Sequence, residues 1–183
     1  MEQLCNQVII SSANVIHAMM RVDRGHFCTH NAYMDCPQSI GFNATISAPH
    51  MHGYALEALS PSLFPGARVL DIGSGSGYLA VCMAEMVGEK GLVVGVEHIQ
   101  ELAEGSLRVV NRFYPHLGSD RLKIFAGDGR IGYKDEAPYD AIHVGAASEK
   151  VPQPLIDQLN SGGRMVIPSG SPQTFLLISS TSQ

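Results

Sequence analysis

The segment that most constrains this chain is a short apolar run followed by a glycine-rich turn. Residues 68–72 have the composition of a buried strand, and Gly73, Gly75 and Gly77 alternate with serine directly after it. Glycines at alternate positions let a backbone turn tightly and approach a ligand closely. An apolar helical pattern follows over residues 78–87, and the free N–H groups of its first turn suit a carboxylate or another anion. The segment therefore predicts a strand, a ligand-binding turn and a helix.

The same alternation continues towards the end of the chain. Further strands are predicted at 92–96, 122–126, 139–144 and 164–168, and further helices at 100–113 and 154–159. Strands that alternate with helices predict right-handed crossovers and a mostly parallel sheet. We therefore expect a doubly wound α/β domain, in which ligands bind at the carboxyl ends of the strands.

The segment before this core has a different pattern. Apolar residues around 15–20 fit a helix with Ser11 or Ser12 as its cap, and residues 48–59 fit a second helix with Pro49 in its first turn. Residues 23–47 are rich in turn formers and predict neither helix nor strand. A long irregular segment in a compact domain is often functional.

Composition narrows the class of protein. The 183 residues suffice for one domain with a core, and the net charge of −5 favours binding to neither nucleic acid nor anionic membranes. The sequence contains no apolar run of about 20 residues and does not open like a signal peptide, so we expect a cytoplasmic protein. Free thiols are then the better reading of the cysteines, which are Cys5, Cys28, Cys36 and Cys82.

The spacing of the glycine loop discriminates between nucleotide cofactors. The dinucleotide pattern G-x-G-x-x-G requires glycine at position 78, where this chain has Tyr78. The D-x-G-x-G-x-G form of residues 71–77 instead resembles the first motif of class I methyltransferases. Asp71, at its head, can organise the loop backbone or meet the amino group of a cofactor through water. A glycine-rich turn without a ligand is the alternative reading.

Two acids follow the next two predicted strands. Glu97 comes about 20 residues after Gly77, where an acid can accept hydrogen bonds from both ribose hydroxyls. Asp128, between Gly127 and Gly129, can accept from an adenine amino group while the glycines leave room for the ring. Taken singly, a solvated glutamate and an Asp-Gly turn are the alternatives. Because the features occur in order on consecutive units, together they indicate a nucleoside-containing cofactor.

The histidines give weaker signals. His50 and His52 are two residues apart and point in opposite directions on a helix, so we expect no metal site. His143 lies in an apolar strand and is interpreted as a satisfied core residue. His98 is expected near the cofactor because it follows Glu97.

The chain resembles the protein-L-isoaspartate (D-aspartate) O-methyltransferase family, in its animal form, over about residues 4–170. Residues 45–52, Thr-Ile-Ser-Ala-Pro-His-Met-His, carry the most specific part of the resemblance. The other matching segments are 23–24, 33–35, 37–42, Ala44, 71–77, 127–130, 138–147 and Pro168. A dehydrogenase that uses a nicotinamide cofactor is disfavoured by Tyr78, and a small-molecule methyltransferase is disfavoured by residues 45–52.

The resemblance implies a Rossmann-like class I methyltransferase that uses S-adenosyl-L-methionine and releases S-adenosyl-L-homocysteine. It implies isoaspartyl-containing proteins and peptides as substrates, a monomer, and Ser47 as the active-site serine. The methyl ester would then close to a succinimide without the enzyme. With the glycine loop, the expected cofactor-binding residues are Ala44, Thr45, Ile46, Ser47, His52, Asp71, Gly73, Ser74, Gly75, Ser76, Gly77, Glu97, His98, Asp128 and Gly129.

The resemblance also predicts how the chain is divided. We expect a single domain with a helical, substrate-side segment at 1–60, a cofactor-binding core at 61–170 and an atypical tail at 171–183. Members of the family usually continue well beyond the position of Pro168, so we expect the C-terminal strands to be missing, although residues 175–178 could form one strand. The alternative function is a shortened relative that binds only cofactor or protein partners.

Overall fold

A computed structural model describes residues 9–145, 150–168 and 175–180 of the chain. Its strands are β1 Gln38–Gly41, β2 Ala44–Ile46, β3 Arg68–Ile72, β4 Leu92–Glu97, β5 Leu122–Ala126, β6 Tyr139–Val144, β7 Leu159–Pro168 and β8 Phe175–Ser179. Its α-helices are α1 Ala13–Arg21, α2 Pro49–Leu59, α3 Tyr78–Val87, α4 Gln100–Phe113, α5 Gly118–Arg121 and α6 Gln153–Asp157. Single 3₁₀ turns lie at Arg24–His26, Ser60–Ser62, Pro115–Leu117, Gly129–Ile131 and Lys134–Glu136.

The described strands β3 to β8 form one six-stranded sheet in the order β5-β4-β3-β6-β7-β8. All neighbouring pairs are parallel except β7 and β8, which are antiparallel. The predicted doubly wound α/β fold is therefore confirmed, and so is a strand at the predicted position in the tail. The strand order reverses between β3 and β6, and such a switch point is where open α/β sheets bind ligands.

The central strands are buried on both faces. Val69 of β3 belongs to an apolar cluster that includes residues of α1, α2, α3 and α4, whereas Leu70 belongs to a second cluster on the opposite face with Ile142 and Met165. Burial on both sides explains why β3, β4 and β6 read as nearly continuous apolar runs. None of the helices in the described ranges is long and apolar enough to cross a membrane.

The bounds of the core elements agree with the sequence expectation except around α6 and β7. The helix predicted at 154–159 ends at Asp157, and the strand predicted from position 164 begins at Leu159. Gln158 explains the difference, because its side chain accepts from the amide of Tyr133 and donates to the carbonyl of Ile131. The amide of Tyr139 also donates to the carbonyl of Gln158. These bonds hold Gln158 against other segments, so the helix does not continue through it.

The expectation that residues 23–47 contain no regular structure is wrong for 38–46. There β1 and β2 form an antiparallel hairpin whose turn places Phe42 and Asn43 at φ angles of 53° and 56°. Asparagine tolerates this left-handed conformation, but phenylalanine rarely adopts it, so the turn was hard to predict. The hairpin leads directly into Ser47.

Helices α1 and α2 are capped by acids from elsewhere in the chain. Ser12 stands at the N-cap of α1, as predicted, but its hydroxyl does not cap the helix. Instead Glu57 of α2 accepts from the amides of Ser11 and Ser12, both at 2.7 Å. Asp35 likewise accepts from the amide of His50 at the start of α2, at 3.0 Å. The Asp35 bond fixes the start of α2, and with it the nearby Ser47, against the irregular segment.

Candidate active site

Backbone hydrogen bonds, within the loop and to β4, hold the glycine loop after β3 in shape. The amides of Gly73 and Ser74 donate to the carbonyl of Val96 at 2.8 and 3.3 Å, and the amide of Gly77 donates to the carbonyl of Ser74 at 2.8 Å. Gly77 is the N-cap of α3 and has a φ of 86°, in the left-handed region that favours glycine. The loop therefore delivers the N-terminus of α3 to the carboxyl edge of the sheet.

Glu97 braces this loop from the end of β4. Its side chain is buried, and Oε2 accepts from the amide of Gly75 at 2.8 Å while Oε1 accepts from the amide of Ile99 at 3.0 Å. Nδ1 of the exposed His98 also lies 3.0 Å from Oε1. A carboxylate offers about four lone-pair positions, so these bonds do not saturate Glu97.

A cleft of about 490 Å³, the Asp128 cleft, opens beside the loop. Its walls are Ile72, Gly73, Val96, His98, Gly127, Asp128, Gly129 and Arg130. Gly129 is required there because a Cβ would overlap the side chain of Ile72. The Arg130 guanidinium pairs with both oxygens of Asp128, at 2.9 and 2.8 Å, and this pairing lowers the pKa of Asp128 to about 2. The carboxylate is therefore ionised at neutral pH and can accept hydrogen bonds from N–H donors in this cleft.

A smaller cleft, the Ser47 cleft, lies on the other side of Gly73 and has a volume of about 50 Å³. It is lined by Thr45, Ile46, Ser47, His52, Asp71, Gly73, Ser74, Gly75, Ser76, Tyr78, Leu79, His143 and Gly145. The hairpin and the start of α2 thus face the glycine loop across this cleft. Gly73 lines both clefts, so a ligand that occupies one can extend into the other.

The wall contributed by β3 and β6 contains a buried acid and a histidine. Asp71 and His143 are register partners, and Nδ1 of His143 lies 2.7 Å from Oδ1 of Asp71. His143 is therefore buried and paired, as interpreted, but it also lines the ligand cleft, which the sequence reading missed. Oδ2 of Asp71 and Oγ of Ser74 are buried and lack a hydrogen-bond partner among the described residues. Buried polar atoms of this kind are normally satisfied, so the wall suits a ligand that carries N–H donors.

Arg24 is another site residue to which sequence reasoning gave no role. It belongs to the 23–24 segment of the family resemblance, but only its position there could have drawn attention to it. The buried guanidinium donates to the carbonyl of Ser47 at 2.7 Å and contacts Nδ1 of His52 at 3.2 Å. It therefore anchors the backbone of the residue that the resemblance identifies as catalytic.

The structure gathers most of the predicted cofactor-binding residues at these two clefts, and their roles remain predictions. Lining the Ser47 cleft are Thr45, Ile46, Ser47, His52, Asp71, Gly73, Ser74, Gly75 and Ser76. Lining the Asp128 cleft are Gly73, His98, Asp128 and Gly129. Three predicted residues line neither cleft: Ala44 on the hairpin, Gly77, buried at the start of α3, and the buried Glu97 at the end of β4.

The two histidines considered as metal ligands have separate partners. Nδ1 of His50 lies 2.8 Å from Asp35, whereas Nδ1 of His52 meets Arg24. In the part of the chain that the structure describes, no three His, Cys, Asp or Glu side chains gather as a metal site would require.

The comparisons with known proteins agree on one family. The model of the family protein-L-isoaspartate(D-aspartate) O-methyltransferase (PCMT) matches residues 1–182. Protein-L-isoaspartate O-methyltransferase 1 of Arabidopsis thaliana is 52% identical, over 93% of this chain and 76% of its own length. The Caenorhabditis elegans protein-L-isoaspartate O-methyltransferase is 51% identical, over 91% and 75%. These nearly equal identities to a plant and a nematode protein do not single out an animal form.

Solved structures show the same similarity. The crystal structure of the beta-aspartate methyltransferase (PCMT) of Plasmodium falciparum, in complex with S-adenosyl-L-homocysteine, superposes with a TM-score of 0.90 and 36% identity. It covers 100% of this chain, which spans 88% of that one. A SAM-dependent O-methyltransferase of Thermotoga maritima shares the fold, with a TM-score of 0.57 and 24% identity over 70% of this chain and 46% of its own.

Proposed function

Because the chain belongs to the protein-L-isoaspartate(D-aspartate) O-methyltransferase family, we propose that it transfers a methyl group from S-adenosyl-L-methionine to the free carboxylate of L-isoaspartyl and D-aspartyl residues in damaged proteins. The observation that carries this proposal is the meeting of the Asp128 and Ser47 clefts at Gly73. A nucleoside in the first cleft can place its reactive end in the second, beside Ser47.

The residues of both clefts fit this cofactor. Asp128 would accept from the adenine amino group, and Glu97 would accept from the ribose hydroxyls. The unpartnered Oδ2 of Asp71 and Oγ of Ser74 would accept from the amino group of its methionine part. The cofactor supplies an electrophilic methyl group on a positively charged sulfur.

The substrate needs little activation from the protein. A carboxylate has an unperturbed pKa of about 4, so it is already ionised and nucleophilic at neutral pH, and no general base is required. The methyl group moves from a cation to an anion, so charge disappears in the transition state. A site that excludes water and aligns the two groups therefore favours the transition state over the solvated ions. In this proposal Ser47 donates a hydrogen bond to the substrate carboxylate and is not a nucleophile.

The proposal also assigns a role to each segment of the chain. Residues 1–60 would form the substrate side, 61–170 the cofactor-binding core and 171–183 the tail of a single domain. We also propose that the protein acts as a cytoplasmic monomer, which agrees with the free thiols of Cys28, Cys36 and Cys82. The alternative, a relative that binds only cofactor or partners, is not favoured because the plant and nematode relatives at about half identity are protein-L-isoaspartate O-methyltransferases.

The experiment is a comparison of two peptides that differ only in the damaged linkage. The protein is incubated with labelled S-adenosyl-L-methionine and either an isoaspartyl peptide or its aspartyl twin. We expect base-labile label on the isoaspartyl peptide alone. Calorimetric binding of S-adenosyl-L-homocysteine without any labelled peptide would instead support the alternative.

A further inference from the structure

Arg24 places a buried positive charge behind the Ser47 cleft. Its residue surface is 5% exposed, and the side chain donates from Nε to the carbonyl of Ala32 at 2.8 Å and from one terminal nitrogen to the carbonyl of Ser47 at 2.7 Å. The other terminal nitrogen lies 3.2 Å from Nδ1 of His52. The guanidinium carbon also lies 5.5 Å from the centre of the Tyr78 ring. The charge is thus directed at backbone carbonyls, an imidazole and an aromatic face.

This contact fixes the tautomer of His52. A guanidinium has only donors, so Nδ1 of His52 has to be the acceptor and the ring proton has to be on Nε2. Burial, and then the charge of Arg24, hold the pKa of His52 well below the ordinary value of 6.5. His52 lines the cleft together with Ser47, so it offers that cleft an N–H donor without a positive charge.

The other groups that face His52 reinforce this state. The ring of Tyr78 lies 5.0 Å from the imidazole, centre to centre. His143 from β6 and His50 from α2 both act to lower the pKa of His52 further. The acids that contact those two histidines pair with them and not with His52: Asp71 pairs with His143, and Asp35 pairs with His50.

A neutral donor suits the proposed reaction better than a cation does. The substrate carboxylate loses its negative charge as the methyl group arrives. A guanidinium or imidazolium paired with that carboxylate would therefore stabilise the starting anion more than the transition state, which raises the barrier. A neutral N–H also orients the carboxylate, but it stabilises the ionised ground state less than a cation would.

We propose that Arg24 is a positioning residue that holds His52 as a neutral donor with its proton on Nε2, and that this N–H and the Ser47 hydroxyl together orient the carboxylate to be methylated. The identity of that carboxylate rests on the proposed function. The arrangement of Arg24 and His52 rests on their contacts alone.

The first test reads the tautomer directly and does not depend on activity. Long-range ¹H–¹⁵N spectra of protein labelled at its 8 histidines are recorded with S-adenosyl-L-homocysteine from about pH 5 to 8, and His52→Gln assigns the His52 signals. We expect His52 to keep its proton on Nε2 without titrating in this range. In Arg24→Met we expect the pKa of His52 to rise, because burial then lowers it without the charge of Arg24, and we expect the ring proton to be shared between Nδ1 and Nε2. A wild-type His52 that carries its proton on Nδ1, or that becomes charged in this range, overturns the inference even if Arg24→Met does not fold.

The second test measures kcat/KM for the isoaspartyl peptide against pH. A misplaced catalytic segment can lose about 100-fold in rate, so we expect Arg24→Met to lose about that much. It should lose further activity at the acidic end of the profile, because the pKa of His52 is higher without the charge of Arg24. Arg24→Lys keeps the charge, so it should not show this further loss of activity at low pH. Arg108→Met is the matched control and should behave as the wild type, because Arg108 and its partner Glu104 are both exposed on α4.

A pH profile of Arg24→Met that parallels the wild type, in protein that still binds S-adenosyl-L-homocysteine, would contradict the positioning role. Absence of methylation by the wild-type protein would refute the proposed function instead. The spectra would then still decide whether Arg24 fixes His52.

Discussion

Nδ1 of His143 lies 2.7 Å from Oδ1 of Asp71, at the point where the parallel strands β3 and β6 end side by side. The two side chains are 10% and 1% exposed, and the second oxygen of Asp71 has no partner in the described ranges. The pair therefore combines a structural contact with an unmet acceptor on the wall of the ligand cleft.

Removing His143 should cost more stability than removing Asp71. His143→Ala leaves a buried carboxylate with neither oxygen paired, and breaking a buried pair in this way costs about 3–5 kcal/mol. Asp71→Ala leaves one unpaired imidazole N–H, which costs about 1–3 kcal/mol. Urea unfolding of both variants measures the difference. The exposed pair Glu104 and Arg108 is the control, and Glu104→Ala should change the free energy of unfolding by less than about 1 kcal/mol. Equal costs for the two buried variants would contradict this ranking.

Two glycine-to-alanine changes should have opposite effects on stability. Gly77 has a φ of 86°, and an added Cβ would lie 3.0 Å from Cβ of Ser106, so Gly77→Ala should lower the free energy of unfolding by about 1–3 kcal/mol. Gly105 lies inside α4, where the nearest atom to an added Cβ is 3.7 Å away on Arg108. Gly105→Ala should therefore stabilise the protein by about 0.5–1 kcal/mol. Denaturant unfolding compares them, and a stabilised Gly77→Ala would mean that the loop is not held in this conformation.

The stability of the protein should decrease as the pH falls below 6.5 because of His52. Its pKa is held well below 6.5 in the folded state, whereas the unfolded chain has the ordinary value. Between these two values the unfolded state binds the proton first, so the free energy of unfolding decreases by up to about 1.4 kcal/mol per pH unit. Above this window His52 contributes no pH dependence. Urea unfolding at several pH values should show the slope in the wild type and a smaller slope in His52→Gln. The same slope in both would assign the effect to another group.

Ser47→Ala should lower methylation while cofactor binding persists. The hydroxyl is proposed to donate to a charged carboxylate, and such bonds are worth about 1.5–3 kcal/mol, so kcat/KM for the isoaspartyl peptide should fall about 10- to 100-fold. The backbone bond from Arg24 to residue 47 is unaffected by this change. Calorimetry with S-adenosyl-L-homocysteine should give nearly the wild-type affinity, and Ser39→Ala on the exposed face of β1 is the control. Loss of cofactor binding in folded Ser47→Ala would assign the serine to the cofactor instead.

The sheet was predictable because its signals are local. Strands β3, β4 and β6 are buried on both faces and read as apolar runs, and the glycine loop marks where β3 ends. The hairpin of β1 and β2 was missed because it depends on a left-handed conformation at Phe42, which a phenylalanine rarely adopts.

The parts of the site that sequence reasoning missed depend on contacts between distant residues. Arg24 meets His52 across 28 positions, and Asp71 meets His143 across 72. No periodicity or spacing rule links such pairs, so their side chains could be read only as isolated polar residues. The family resemblance located Ser47 and His52, but it carried no information about which groups hold them in place.

The bond from the Gly75 amide to Glu97 has a consequence for how fast the cofactor can bind. The loop is closed by this bond and by those to Val96, all of which join groups of the protein itself. The conformational entropy of ordering residues 73–77 is therefore lost when the protein folds and not when it meets its ligand. Binding should then resemble the docking of rigid surfaces, with an association rate set by diffusion and orientation and with amide exchange in the loop already slow before the ligand arrives.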